Sequence, residues 1–238
     1  MIIDGKKISE KILNSIEIKK QLKLAVVLVG DDPSSKIYVR KKGEACERVG
    51  IDFQLSKFSA DISKEDLVKK INDIVQDSSV SGIVIQLPLP KQINADEIMK
   101  LIPEEKDVEG FVSSRVSPVV CAIEHILEEY SISLEDKKIA LVGRGVLVGI
   151  PVGEWLDKKG IKYSDNTKEA DVIISGVGKP NLIKEDMVKE GVIIIDVGGD
   201  VDPEVSKKAS YMTPIIGGVG PITVACLIKS LVYGSTNI

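Results

Sequence analysis

Aromatic residues are scarce in this 238-residue chain, 4% of the total with one tryptophan and three phenylalanines. That leaves little from which to build the stacking platforms that grip single-stranded nucleic acid. An excess of positive charge is missing too. Lys and Arg number 32 against 36 Asp and Glu, a formal net charge of −4, and no basic stripe is present to neutralise a phosphate backbone. No nucleic-acid partner is expected. Cysteines number three, Cys46, Cys121 and Cys226, and none share a CxxC spacing. An odd, scattered set argues against a disulfide framework and a structural zinc site, so no metal is expected. The one histidine, His125, lies in the helical pattern Ile123–Tyr130, where a lone histidine reads as a surface or satisfied side chain. That sets aside His-dependent triads and most His-ligated metals. No apolar run approaches membrane-spanning length, and the start, Met-Ile-Ile-Asp-Gly-Lys-Lys, has no apolar leader segment. A cytoplasmic protein with no membrane partner is the expectation.

What is present is an alternation. Leu24–Val29, Gly82–Leu87, Lys138–Val142, Asp171–Ser175 and Val192–Val197 are nearly continuous in Val, Ile and Leu, the mark of parallel strands buried on both faces. Between them Lys36–Gly50, Ser63–Asp77, Asn94–Leu101, Ser117–Tyr130 and Val148–Lys159 carry helical periodicity. The fold class predicted is α/β, a two-lobe protein with crossover helices. A boundary falls near Phe111–Pro118, after the charged turn Pro103–Asp107. Residues 1–115 then make one domain and 116–220 the next, and a helix over 221–238 returns to the first.

The run Lys138-Ile-Ala-Leu-Val-Gly143-Arg144-Gly145-Val-Leu-Val-Gly149-Ile-Pro151 is a strand, a glycine-rich turn and a helix start. Gly143 permits the tight turn, Gly145 lets backbone approach a pyrophosphate, and Gly149 lets the helix pack closely with its N–H groups facing the phosphates. The strand–helix context, rather than the glycines alone, makes this a dinucleotide site. Arg144 suits the 2′-phosphate of NADP. Asp165, about 20 residues beyond Gly145, suits the ribose hydroxyl of NAD. NADP is the preferred reading and NAD the alternative.

In the first lobe, Tyr38, Lys42, Ala45, Cys46 and Val49 fall on one stripe of the helix after Pro33, so an inward stripe carries a lysine. Tyr38 and Lys42 stand four residues apart on one face. Lys42 is either a snorkelling side chain or a desolvated ammonium fit for proton transfer near neutrality. Gln86 ends a strand and opens Gln86-Leu87-Pro-Leu-Pro90 at the sheet's carboxyl edge, where ligands bind. Thr213-Pro-Ile-Ile-Gly217-Gly218-Val219-Gly220-Pro221-Ile-Thr223 allows backbone to approach a flat ligand, or serves as a hinge.

Together with Val29-Gly-Asp-Asp-Pro-Ser-Ser-Lys-Ile-Tyr38, Lys106-Asp-Val-Glu109-Gly-Phe, Val177-Gly-Lys-Pro180 and Ile195-Asp-Val-Gly198, these runs resemble the bifunctional methylenetetrahydrofolate dehydrogenase/cyclohydrolase family. The resemblance covers essentially the whole chain in order. It implies a folate-binding catalytic lobe and a Rossmann-type NAD(P) lobe, usually paired as a homodimer through the nucleotide lobes. It further implies NADP-linked oxidation of 5,10-methylenetetrahydrofolate to the methenyl form and hydrolysis to 10-formyltetrahydrofolate. Lys42 matches the family's catalytic lysine, Tyr38 its folate-stacking tyrosine and Gln86 the lysine's partner. Leu87, Glu109 and Gly217 to Pro221 match substrate contacts. Gly143, Arg144, Gly145, Gly149, Asp165, Gly178 and Gly199 fall on the cofactor side.

The chain departs from the family pattern in places. Glu109 replaces the usual aspartate, Ser117-Pro-Val-Val120 replaces Pro-Cys-Thr-Pro, Gly145 replaces a serine, and Thr167–Asp171 is much shorter than the usual loop and helix. The rival readings are a dehydrogenase with weak or absent cyclohydrolase and a non-catalytic nucleotide- or folate-binding protein.

Overall fold

The structure is a computed structural model that describes residues 1–234. The last four positions of the helix expected over 221–238 lie outside the described residues. The chain divides into two compact units, Ile12–Pro118 with the chain from Leu227, and Met1–Lys11 with Val119–Cys226. The chain order is α1 (Gly5–Asn14), β1 (Lys23–Val29), α2 (Pro33–Val49), β2 (Asp52–Phe58), α3 (Lys64–Gln76), β3 (Gly82–Gln86) and α4 (Ala95–Met99), then α5 (Pro118–Glu129), β4 (Ile139–Val142), α6 (Gly149–Lys158), β5 (Tyr163–Ser164), β6 (Val172–Ser175), β7 (Ile193–Asp196), β8 (Tyr211–Met212) and α7 (Val219–Tyr233).

In the unit built on Ile12–Pro118, three parallel strands lie in the order β2-β1-β3. The central strand sets Val26 opposite Leu55 on one side and Val84 on the other. Ala25, Val27 and Val29 of β1 pack with Leu67 and Ile71 of α3 and with Ile83, Ile85 and Ile98, all buried. Burial on both faces is why β1 and β3 read as unbroken apolar runs. The helix α2 starts where its sequence directs: the Asp32 carboxylate accepts from the Ser35 amide, Pro33 fills the first turn, and Gly50 ends the helix at φ 80°.

In the other unit, five parallel strands lie in the order β5-β4-β6-β7-β8. Ala140, Ile173, Val192, Ile194, Val201 and Val205 form its core. The first residues extend this sheet. Ile2 bridges Met212, and the Ile3 amide donates to the Met212 carbonyl at 2.9 Å. That pairing is why Met1–Lys11 groups here, whereas the sequence alone places it in the first lobe. The connection from β5 to β6, residues 165–171, skips over β4 without a helix. It is shorter than the crossover of a dozen or more residues that parallel strands usually need.

The expectation for the cysteines is corrected. Cys121 on α5 and Cys226 on α7 face each other as a disulfide, their α-carbons 6.1 Å apart across 105 residues of sequence. Linear spacing carries no sign of this, because the two cysteines come from two different helices, 105 residues apart in sequence. Among the described residues, no helix is long and apolar enough to cross a membrane.

Candidate active site

On α2 the buried positions are Ser35, Val39, Lys42, Ala45 and Cys46. Val39, rather than Tyr38, completes the inward stripe, and Tyr38 stands at its rim with 40% of its surface exposed. Lys42 does not snorkel. Only 7% of it is exposed, and its Nζ donates to Oε1 of Gln86 at 3.0 Å. The Glu109 carboxylate lies 3.8 Å from the same Nζ, an ion pair too long to be a hydrogen bond. Burial holds the Lys42 ammonium below the ordinary lysine range, partly offset by the Glu109 charge. Burial pushes the Glu109 carboxyl up, against the pull of Lys42. Burial thus makes the amine more acidic and the carboxyl less so, a pairing suited to proton transfer.

Two loops fix this geometry. Gln86 ends β3, and its Nε2 donates to the Leu87 carbonyl at 2.9 Å. That carbonyl also accepts from Ser35 Oγ at 3.2 Å. The amide is thereby oriented with its oxygen toward Lys42. Glu109 is presented by a loop wound around Asp107, a residue to which the sequence assigns no role. The buried Asp107 carboxylate accepts from the amides of Glu109 (3.1 Å), Gly110 (2.9 Å), Val112 (2.8 Å) and Ser113 (2.9 Å). Its backbone bridges Ile83 of β3, which ties the loop to the strand that carries Gln86.

The glycine turn lies in the other unit, between β4 and α6. Gly143 adopts φ 114°, open to glycine alone at little cost. A side chain at Gly149 would strike the Gly143 carbonyl. A side chain at Gly145 would meet nothing within 4 Å, so its backbone borders open space. The helix α6 has no side-chain cap at Val148. The Ile150 amide already donates to the Gly145 carbonyl at 3.0 Å and Pro151 has no N–H, which leaves the Gly149 amide available to an anion in the first turn. A dinucleotide pyrophosphate fits this turn. The Arg144 guanidinium stands 5.8 Å over the Tyr163 ring, and Arg144, Lys162 and Tyr163 border one surface depression with Asp157. Asp165 follows β5 directly and is exposed.

Gly178 and Gly199 occupy the loops after β6 and β7. The buried Asp200 carboxylate accepts from Ser175 Oγ (2.6 Å) and from the amides of Val177 (2.8 Å) and Lys179 (2.7 Å), which shapes the Gly178 loop. Asp196 accepts from the amides of Gly199, Asp200 and Val201, and burial pushes its carboxyl up against those three donors. Thr213 anchors the next run, its Oγ1 accepting from the Asp196 amide at 2.7 Å. Gly217, Gly218, Val219, Gly220 and Pro221 then lead into α7 within this same unit rather than the lysine's. The sequence assigns Asp196 and Asp200 no role: the Asp196 carboxylate binds only backbone amides, and that of Asp200 binds two amides and a serine hydroxyl 25 residues away, so neither leaves a spacing pattern.

An uncapped glycine turn at the carboxyl edge of a parallel sheet defines the class: an α/β protein with a dinucleotide-binding unit. Comparison with known proteins narrows it. The model of the tetrahydrofolate dehydrogenase/cyclohydrolase catalytic domain matches residues 3–109, and that of the family's NAD(P)-binding domain matches residues 118–237. The chain is 42% identical, over an alignment 276 positions long, to the bifunctional protein FolD of Nautilia profundicola, covering 99% of this chain and 97% of that one. The crystal structure of the bifunctional FolD of Campylobacter jejuni superposes with a TM-score of 0.85 at 38% identity, over 98% of this chain and 97% of that one. The Trypanosoma brucei enzyme, solved with NADP and an inhibitor, shares the fold with a TM-score of 0.90 at 24% identity, over 97% and 95% of the two chains. The chain belongs to the tetrahydrofolate dehydrogenase/cyclohydrolase family.

Proposed function

We propose that this protein oxidises 5,10-methylenetetrahydrofolate to the 5,10-methenyl form with NADP and hydrolyses that product to 10-formyltetrahydrofolate, with Lys42 moving the proton. The observation that carries the reading is the buried Lys42 Nζ, 3.0 Å from Gln86 Oε1 and 3.8 Å from Glu109. The bound nicotinamide supplies the hydride acceptor. The chain's task in the first step is positioning, since the carbon that loses hydride is flanked by two nitrogens that share the resulting charge. The second step adds water to the methenyl carbon and needs a proton at the departing nitrogen, which a lysine of lowered pKa delivers from Nζ. Gln86 holds Nζ in place, and Glu109 sets its charge.

Tyr38, at the rim on the same helix face, offers a ring for the substrate to stack on. Leu87, Glu109 and the Gly217–Pro221 run serve as further substrate contacts. Gly143, Arg144, Gly145, Gly149, Asp165, Gly178 and Gly199 serve the cofactor. Arg144 and Lys162 on one depression favour the 2′-phosphate of NADP over NAD. The folate domain of this reading is residues 1–115 with the C-terminal helix from 221, and the cofactor domain is 116–220. The grouping of the chain from Leu227 with Ile12–Pro118 supports the return of that helix. A cytoplasmic homodimer joined through the nucleotide unit completes the reading, on the strength of the family resemblance.

Lys42→Met tests it. The variant is expected to fold, bind folate and lose hydrolysis of methenyltetrahydrofolate, followed by its absorbance. Unchanged hydrolysis in a folded variant refutes the role given to Lys42.

A further inference from the structure

Cys121 and His125 lie four residues apart on α5, so they share one face of that helix. Cys226 reaches the same point from α7. The two sulfurs and an imidazole nitrogen all lie within 4.8 Å of one another. The sulfurs are nearly dry, with Cys121 7% and Cys226 2% exposed, and the His125 side chain is 17% exposed. The Nδ1 of His125 faces the exposed Glu128 carboxylate at 3.7 Å, while Nε2 is buried. None of these groups has a part in the folate or cofactor chemistry.

We propose that, with its cysteines reduced, this cluster is a binding site for a thiophilic divalent cation of the zinc class, held by Cys121 Sγ, Cys226 Sγ and His125 Nε2. Two sulfurs and one imidazole are a donor set that zinc takes in tetrahedral sites, with a fourth position left to water. The donors are of the soft and borderline kind that select zinc over magnesium or calcium. The charge balances: each thiol releases one proton as its sulfur binds, and two thiolates neutralise the dication. Glu128 stands 3.7 Å from Nδ1, beyond hydrogen-bond distance, and a small rotation of its exposed side chain would let it take the Nδ1 proton's hydrogen bond and orient the metal-bound ring. The ion and the disulfide exclude each other, because both use the same two sulfurs. Bound metal thus ties α5 to α7 without oxidant.

The test uses the full chain, reduced with a phosphine and freed of metal, titrated with Co2+ and then Zn2+. The expected result is a saturable sulfur-to-cobalt charge-transfer band with the visible bands of tetrahedral Co2+, at one ion per chain, bleached by Zn2+. Zn2+ is also expected to shield two thiols from alkylation in the native protein. Cys46→Ser serves as the control and is expected to keep the bands, since that thiol is buried elsewhere. Cys226→Ser is expected to abolish them, and Glu128→Gln to weaken binding about tenfold. Reduced wild-type protein, with its thiols counted, that shows no charge-transfer band and no Zn2+ protection overturns the proposal and leaves the pair a disulfide or plain thiols. Bands that persist in Cys226→Ser overturn the assigned ligands.

Discussion

Replacing Glu109 by glutamine removes one charge from beside a buried ammonium while keeping nearly the same shape, so the Lys42–Glu109 pair can be tested by a single carboxylate. The charges stand 3.8 Å apart, with side chains 9% and 16% exposed. At that distance two unit charges interact by about 4 kcal/mol when the effective dielectric is about 20. Since about 1.4 kcal/mol is one pKa unit, the ceiling on the effect is about three units. The amide dipole and any entering water recover part of this, and a shift of at least about one unit is expected. The sign is fixed. Without the anion, burial acts on Lys42 unopposed, and the ammonium loses its proton at lower pH. The assay is kcat/KM for methenyltetrahydrofolate hydrolysis across pH in wild type and Glu109→Gln. The limb that titrates Lys42 is expected to move to lower pH in the variant. An unmoved limb in a folded variant, or one displaced upward, refutes the reasoning.

Glu109 also makes folding pH-dependent. Its folded carboxyl is raised above the ordinary 4.5 by burial, so its contribution to stability is fully present below about pH 4.5 and is lost as pH rises through the folded value. Melting curves from acid to neutral pH are therefore expected to show wild type losing Tm relative to Glu109→Gln, and parallel curves would contradict this. Arg144→Ala removes a charge-assisted contact worth about 1.5–3 kcal/mol. The KM for NADP is expected to rise roughly ten- to hundredfold with that for NAD little changed. Equal effects on the two cofactors would remove Arg144 from the 2′-phosphate. Asp200→Ala leaves Ser175 Oγ and the amides of Val177 and Lys179 without their acceptor. A loss of about 3 kcal/mol or more in denaturant unfolding is expected.

Legibility in the sequence followed burial. The strands β1, β3, β4, β6 and β7 lie within a residue or two of the apolar runs that announced them, because strands buried on both faces write themselves as unbroken Val, Ile and Leu. The strand β2 gave no such signal. Asp-Phe-Gln-Leu-Ser-Lys-Phe sits at a sheet edge, with every residue at least partly exposed. The two-residue β8 and the short, lysine-rich α1 were equally silent. Of the lysine site, Lys42 showed as a charge on an apolar stripe and Gln86 as a polar strand end. The roles of Asp107, Asp196 and Asp200 did not show, since their partners are backbone amides and, for Asp200, one serine hydroxyl distant in the chain. The Cys121–Cys226 pairing was illegible for a related reason: the contact belongs to two helices, not to either stretch of chain.

Asp107 gathers four amides of the Glu109 loop on one carboxylate, and that has a consequence for motion. The amides of Glu109, Gly110, Val112 and Ser113 end on a single carboxylate, so no one of them can be freed by loss of that carboxylate without the others. In hydrogen exchange they are expected to open together, with a shared free energy rather than four local ones. Each such opening also releases the backbone that aims Glu109. The rate at which four protons trade with solvent is then a clock for how often Lys42 stands without its anion.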